Sequence, residues 1–539
     1  MIARIATAFS APDGAREIRL TARQLMILHA VAILAVVAPI ILSTHPPLVD
    51  YANHLARIHV LATLADNPML QEKYLAHWTL LPNLAMDALL VPLAKVVPIY
   101  LLGKLFVVAT MLLFIGGAYA LRWVLWGRIG IWPAAVLLIV YNHVLAWGFL
   151  NYLFGAGLAL FALAGWIWAR ERWSWHRRAA VFALAALGLF FAHMFAFGVY
   201  ALAIGGFELG RSMGDWREKS LKRHFVEWAQ GGAQFVVPMM LWMMTAAGAG
   251  SGVTQYSGSG SKISAWVSMV LFQIQGVGVA TLLFLVVLLV GGLLSRSIRL
   301  DARMTVPLLV LLAAMLAMPN WLFSSWGADF RTPPVLVAIA IASTDFERRK
   351  SMLTDLLLIM GAALIAMRVV STVGIVRVHD KQIAELRAAF AEVVPPGTRL
   401  LAARNLPHGP ERRTIFWRVH HHSAAYAVID QSVYMPTLFT DPEKQPLIVT
   451  QRYRYMNTPY GNPVPDHALR RGAERGWADR MFARRDPRGR HYYWAFWPNM
   501  FDYVVVFRMN NRGNPAPRHM TLLKTGSYFD IYKVRRGHP

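Results

Sequence analysis

Between residues 45 and 59 the chain reads His-Pro-Pro-Leu-Val-Asp50-Tyr-Ala-Asn53-His54-Leu-Ala-Arg57-Ile-His. The two prolines stop the apolar run before them and force an extended turn, because proline has no amide hydrogen and restricts the residue ahead of it. Asp50 then stands at the N-cap of a short amphipathic helix. Asp50, His54 and Arg57 fall at i, i+4 and i+7, on one face, with Asn53 beside them. A carboxylate at such a place can serve as general base toward a hydroxyl or help bind a cation, and an arginine can hold a phosphate. The plainer reading is a capping aspartate above a solvated face. The functional reading is favoured by position, since the cluster directly follows an apolar run long enough to span a bilayer and ionisable groups at a membrane edge tend to be functional.

A second constellation lies in 319–334, where Asp329 and Arg331 stand two apart among Trp321, Trp326 and Phe330. It suits a phosphate-and-sugar site, with Arg331 as charge partner and Trp326 stacking on the sugar. An interfacial aromatic belt with a local Asp–Arg pair explains it equally well. His193 sits inside a long apolar segment, where it either hydrogen-bonds between helices or meets substrate. Asp87, with Asn83 one turn earlier, marks a weakly apolar stretch that either extends an acceptor site or lies at the interface. The run His420-His421-His422 invites a metal reading. Consecutive residues point in different directions, so the three cannot share one ion without an irregular backbone.

The elements that must carry these groups follow from composition. Of 539 residues 56% are hydrophobic and only 15% charged, against about 25% charged in a typical soluble domain. There is no cysteine, which removes disulfides, thiolate metal sites and cysteine nucleophiles. Candidate spans are 24–43, 83–97, 99–121, 131–147, 149–168, 179–207, 226–247, 266–294, 304–320, 334–345 and 351–375, about eleven in all. Those at 83–97 and 334–345 are short, and 179–207 is either one tilted helix or a pair turning near His193. The first run is too long for a signal-peptide core and is expected to be a retained span.

Basic residues orient the chain. The N-terminal segment 1–23, the loops 208–224 and 295–303 and the cluster 348–350 all read as cytoplasmic. The loop 44–82, the Gly/Ser-rich loop 248–262, the loop 319–333 and the C-terminal domain 376–539 then fall on the opposite face. Eleven spans satisfy this with one exception, the basic loop 169–178, which faces outward unless 179–207 is a hairpin. The fold expected is thus a polytopic α-helical membrane domain over 24–375 followed by a mixed α/β extracytoplasmic domain. The formal charge of +25 lies about half in that domain. Beside a bilayer it meets lipid headgroups or phosphosugars first, so no nucleic-acid partner is expected. The same holds for the basic–aromatic run from Arg470 to Trp494.

Four stretches add a resemblance. The opening Pro-Leu-Val-Asp50-Tyr-Ala-Asn53-His54-Leu-Ala-Arg57, the runs Trp147-Gly-Phe-Leu-Asn-Tyr152 and Ala192-His193-Met-Phe-Ala-Phe-Gly198, and the segment Val394-Pro-Pro-Gly-Thr-Arg-Leu-Leu401 resemble bacterial members of the GT-C superfamily. These are membrane glycosyltransferases that use polyprenyl-phosphate-linked sugars. The resemblance implies a GT-C-like helical fold, Asp50 as the acidic residue acting on the acceptor, and a glycan, lipid or protein as that acceptor. Only one carboxylate stands in this loop, with no paired acid beside it. No cofactor is therefore assigned, and a divalent cation stays open. A lone base suits direct displacement with inversion, with the phosphate near Arg331 and Arg57 as a second contact. Two other classes stay in view: a transporter or flippase of a lipid-linked substrate, and a non-catalytic membrane component of an envelope-assembly complex.

Overall fold

The computed structural model describes residues 21–536 apart from 245–252, 347–351, 406–415, 459–461, 475–493, 509–512 and the single positions 259, 273, 296 and 495. The basic N-terminal arm, the 348–350 cluster, part of the Gly/Ser-rich loop and most of the basic–aromatic run lie outside the described residues.

In chain order the elements that matter are α1 (Ala22–Leu42), α2 (Tyr51–Thr63), α3 (Ala85–Leu93), α4 (Ile99–Trp126), α5 (His143–Trp147), α6 (Leu150–Arg170), α7 (Trp175–Ala192) and α8 (Met194–Gly214). There follow α9 (Gln275–Leu294), α10 (Thr305–Ala317), α11 (Ala328–Ser343) and α12 (Met352–Val393). Five of these, α1, α4, α6, α9 and α12, are long and apolar enough to cross a bilayer.

Eleven regular spans are not found among the described residues. Segment 131–147 is a 3-10 turn (Trp132–Leu138) followed by α5, which Asn142 caps by accepting from the Leu145 amide at 2.9 Å. Segment 83–97 holds only the nine-residue α3, which has Pro92 inside it. Segment 179–207 breaks at His193, whose backbone is extended (φ −168°, ψ 128°), and becomes the pair α7 and α8. Arg170 at the end of α6 pairs with Glu208 of α8 at 3.1 Å and with Glu227 at 3.4 Å. Loop 169–178 therefore shares a face with loop 208–224 instead of facing the other way. Two carboxylates beside Arg170, Glu208 buried and Glu227 half-buried, decide this, a constraint that charge counting along the chain does not contain.

The boundary expected near residue 375 lies inside α12, whose 42 residues run without a break from the helical domain into the C-terminal one. That domain is built on a five-stranded sheet. With β1 (Tyr74–Ala76), β2 (Leu400–Arg404), β3 (Leu447–Val449), β4 (Val464–Pro465), β5 (Tyr503–Phe507), β6 (Met520–Thr525) and β7 (Phe529–Val534), the order is β6–β7–β5–β2–β4. The two central strands, β2 and β5, are parallel, pair Ala402 with Val505 and are buried on both faces, which is why they read as continuous apolar runs.

The loop after α1 belongs to this domain. Ala52, Ala56, Val60, Leu70 and Tyr74 share one core with Leu401, Tyr434 and Val504, and β1 pairs antiparallel with β3. Asp380 of α12 ties the loop's start, accepting from the amides of Thr44 at 2.9 Å and His45 at 2.7 Å. The loop 44–82 and the C-terminal domain are thus on one face, and α2 lies between that domain and the helical core.

Candidate active site

Asp50 is placed from two sides. Its amide donates to the Trp147 carbonyl and the Val49 amide to the Ala146 carbonyl, both at 3.0 Å, so the turn ahead of α2 is stapled to the end of α5. Gly148 makes this approach possible. It is left-handed (φ +81°), and a Cβ there would lie 3.2 Å from the Asp50 nitrogen and 3.3 Å from its Cβ. We expect Gly148→Ala to cost about 2 kcal/mol or more from left-handed strain and crowding. Gly188→Ala, where the added carbon meets nothing within 4 Å, is expected to be neutral or to stabilise by up to about 1 kcal/mol. Thermal melting of the two variants in detergent checks both values.

An aspartate at an N-cap ordinarily spends its carboxylate on the first amides of the helix. Asp50 makes no side-chain capping bond. Its Oδ1 lies 3.4 Å from His422 Nε2, a long contact between a 14% exposed carboxylate and a 5% exposed imidazole. His422 comes from the C-terminal domain and touches Asn53 as well, whose Nδ2 is 3.1 Å from His422 Nδ1. Asn53 is itself fully buried, donating to the Thr437 carbonyl and accepting from the Phe439 amide, both at 2.8 Å. The same turn of α2 thus holds Asp50 and the residue that orients its histidine.

The rest of that helical face turns inward. Arg57 is 1% exposed and forms a two-pronged pair with Asp87 of α3, Nε to Oδ1 at 2.7 Å and Nη2 to Oδ2 at 2.8 Å. Both were expected to face substrate, Arg57 at a phosphate and Asp87 at an acceptor; here they face each other, since a buried guanidinium needs a carboxylate beside it, with Arg57 Nη1 left buried and without a partner among the described residues. His54 packs edge-on against Phe439. Burial, with the Arg57 charge and His422 adding to it, holds its pKa well below the ordinary value. Asp50, His54 and Arg57 share a face and diverge to three partners.

The second constellation is helical, not a loop. Trp321–Leu322 and Ser325–Trp326 form a small hairpin, Gly327 turns left-handed, and α11 begins at Ala328. Asp329 and Arg331 occupy its first turns. No ion pair joins them among the described residues: Asp329 accepts from Asn320 Nδ2 at 2.9 Å. Arg331 donates to the Trp326 carbonyl at 3.0 Å and to Ser325 Oγ at 3.3 Å, while its Nε is buried with no partner. Its guanidinium is sandwiched between Phe149 and Phe195, 4.5 and 4.7 Å from the ring centroids. The charges of Asp50 and Asp329 both act on it. Trp326 stands edge-on to Trp147 at 4.7 Å, and Trp147 is the residue whose carbonyl holds Asp50.

His193 is structural at the break it occupies. Its Nδ1 accepts from the Phe195 amide at 3.1 Å, capping α8, and its ring meets Tyr152 edge-on. Asn83 assists by accepting from the Met194 amide at 2.9 Å.

Arg331 also closes a cavity of about 250 Å³ whose lining is otherwise apolar, including Tyr152, Phe195, Leu202, Trp242 and Leu311. It is the one charged side chain there. The C-terminal domain covers the other side, where Arg418 stacks over Trp147 and Lys444 donates to the Ser324 carbonyl.

No group of three potential metal ligands occurs among the described residues. The rings of the histidine triplet part company: His420 meets Gln382, His421 meets Arg404 and His422 meets Asn53. Residue types in the sequence single out Asp50, Trp326 and Arg331. They do not single out His422, which is 372 positions from Asp50, or the Phe149 and Phe195 rings. The only signal for those rings is that they lie in the two short runs quoted above for resemblance.

No protein-family model matches the chain, and no curated protein matches it. Among solved structures it is similar to the arabinofuranosyltransferase AftD from Mycobacteria, at 13% identity and a TM-score of 0.46. The match covers 96% of this chain and 40% of that one, so the chain spans two fifths of that protein's length.

Proposed function

We propose that the chain is a membrane glycosyltransferase that moves a sugar from a polyprenyl-phosphate donor to a hydroxyl acceptor at the outer face, with Asp50 as general base. The observation that carries this reading is the placement of one uncapped carboxylate and one under-used buried arginine at an aromatic wall above an apolar cavity. The lipid tail enters the cavity, its phosphate meets Arg331 at the cavity's charged end, and the sugar lies against Trp326 and Trp147.

The acceptor oxygen attacks the anomeric carbon as its proton passes to Asp50. The carbon–oxygen bond to phosphate breaks, and the leaving phosphate carries its charge to Arg331, so no strong general acid is required. One carboxylate supports a single displacement with inversion, since the retaining route needs a second, nucleophilic one.

The test is incubation of the purified protein with a panel of radiolabelled polyprenyl phosphosugars, reading release of polyprenyl phosphate. Vectorial movement of the lipid in proteoliposomes without release would replace this reading by a flippase. Arg331→Lys keeps the charge but loses the planar stack and the Nε donor. We expect kcat/KM for the donor to fall by about 10- to 100-fold, the size of one or two charge-assisted hydrogen bonds.

A further inference from the structure

We propose that His422 is the positioning residue of the transfer base: brought in by the C-terminal domain, it holds Asp50 through its Nε2 hydrogen and leaves the second carboxylate oxygen for the acceptor. The inference rests on the transferase reading above.

The argument starts from Asn53. Its Oδ1 accepts from the Phe439 amide and its Nδ2 donates to the Thr437 carbonyl, so two independent partners assign the amide's orientation. The remaining amide hydrogen is directed at His422 Nδ1, 3.1 Å away, which must therefore accept. A neutral imidazole with Nδ1 accepting carries its hydrogen on Nε2. That nitrogen is the one facing Asp50 Oδ1, at 3.4 Å. Contacts of this kind are often long before substrate binds and tighten in the working complex.

Two consequences follow. Asp50 Oδ1 is engaged, so the acceptor's proton goes to Oδ2. While Asn53 donates to Nδ1, His422 cannot take that proton itself, and the proton stays on Asp50 until product leaves. The titratable groups around the pair are Asp50, His54 and the His421 ring 6.3 Å away, with Arg331 acting on Asp50 from α11. Phe439 closes the remaining side, its ring 5.3 Å from His422.

His422→Phe removes the Nε2 hydrogen, whereas His422→Gln keeps an N–H near the same place. With the best donor of the panel, the Phe variant is expected to lose kcat by about tenfold or more with donor KM within about twofold. The acid limb of its pH–rate profile should move up, because a carboxylate stripped of a donor protonates more readily. The Gln variant should stay within about threefold of the parent in kcat and keep its acid limb.

A second readout needs no transfer: labelling of Asp50 by dicyclohexylcarbodiimide, which attacks the protonated carboxyl, followed against pH by mass spectrometry. Its midpoint should move up in the Phe variant and stay put in the Gln variant. If both variants keep the parental midpoint, or both shift alike, the proposal is overturned. A parent chain that transfers no sugar while the Phe midpoint still shifts would remove the transferase reading and leave the His422–Asp50 coupling in place.

Discussion

Asp50→Asn is expected to reduce transfer by about 10²- to 10⁴-fold, the range over which a positioned general base contributes. The amide is nearly the same shape and cannot accept the acceptor's proton. The fold has little reason to respond. Asparagine and aspartate are comparable N-caps, and Asp50 makes no capping bond to lose. Stability should stay within about 0.5 kcal/mol of the parent. The measurement is release of polyprenyl phosphate by the two chains at equal amounts in membranes, with melting of each in detergent. Undiminished transfer by the Asn chain would end the role given to Asp50. A large loss of stability would show that its carboxylate holds the turn and not the chemistry.

Acid is expected to loosen the C-terminal domain well before its carboxylates titrate. His420 is pushed down to about 3 by burial. His421 is held well below its ordinary value by burial and by the charge of Arg404, with His422, Arg418 and His420 adding to it. His54 is held low by burial, then by Arg57 and His422. The groups packed on them offer little relief: Gln382, Ser423 and Tyr528 around His420, and Arg404 beside His421.

Each of these bases has a folded pKa below its unfolded value near 6.5. The unfolded chain therefore binds the extra protons, and stability is complete above pH 6.5 and lost as pH falls below it toward the folded values. At pH 5.5 each contributes a loss of about 1 kcal/mol, or about 3–4 kcal/mol for the three. That is a large fraction of the 5–15 kcal/mol typical of a folded domain. Melting temperature followed by intrinsic fluorescence should be flat from pH 8 to 7 and fall steadily from 6.5 to 5. A flat profile down to pH 5 would mean that these rings reach water or a counter-charge in solution.

Much of the membrane part was legible because its cause is local. Apolar runs of bilayer length, the stop at Pro46-Pro47 and the helical spacing after Asp50 depend on residues within a few turns of each other. Where local breakers compete with length, the reading failed. Segment 131–147 has the composition of a span, yet Pro133 and Asn142 break it into short turns. Segment 179–207 allows one tilted helix or a pair turning near His193, and the structure has the pair, with His193 capping a new helix in its middle.

The candidate site divides along the same line. Asp50 stood out from its place after a span, and Trp326 and Arg331 from their types at a membrane face, although α11 begins earlier than their loop-like surroundings suggest. Arg57 was misread for a physical reason. A face of a helix specifies a direction, not what lies there, and Asp87 thirty residues away claims the guanidinium.

By itself the sequence determined that this chain carries several apolar helices, a basic, less apolar C-terminal part and an acidic residue at the head of an amphipathic helix. Periodicity, proline and apolar length act within a few residues, so one chain read in order contains them. Only the tertiary structure decided that the C-terminal domain folds around the loop 44–82, that the Asp50 carboxylate makes no capping bond, and that His422 rather than Arg57 stands beside it. Those outcomes belong to buried polar groups finding partners hundreds of positions away, because each donor left unpaired in a closed interior costs about 1–3 kcal/mol.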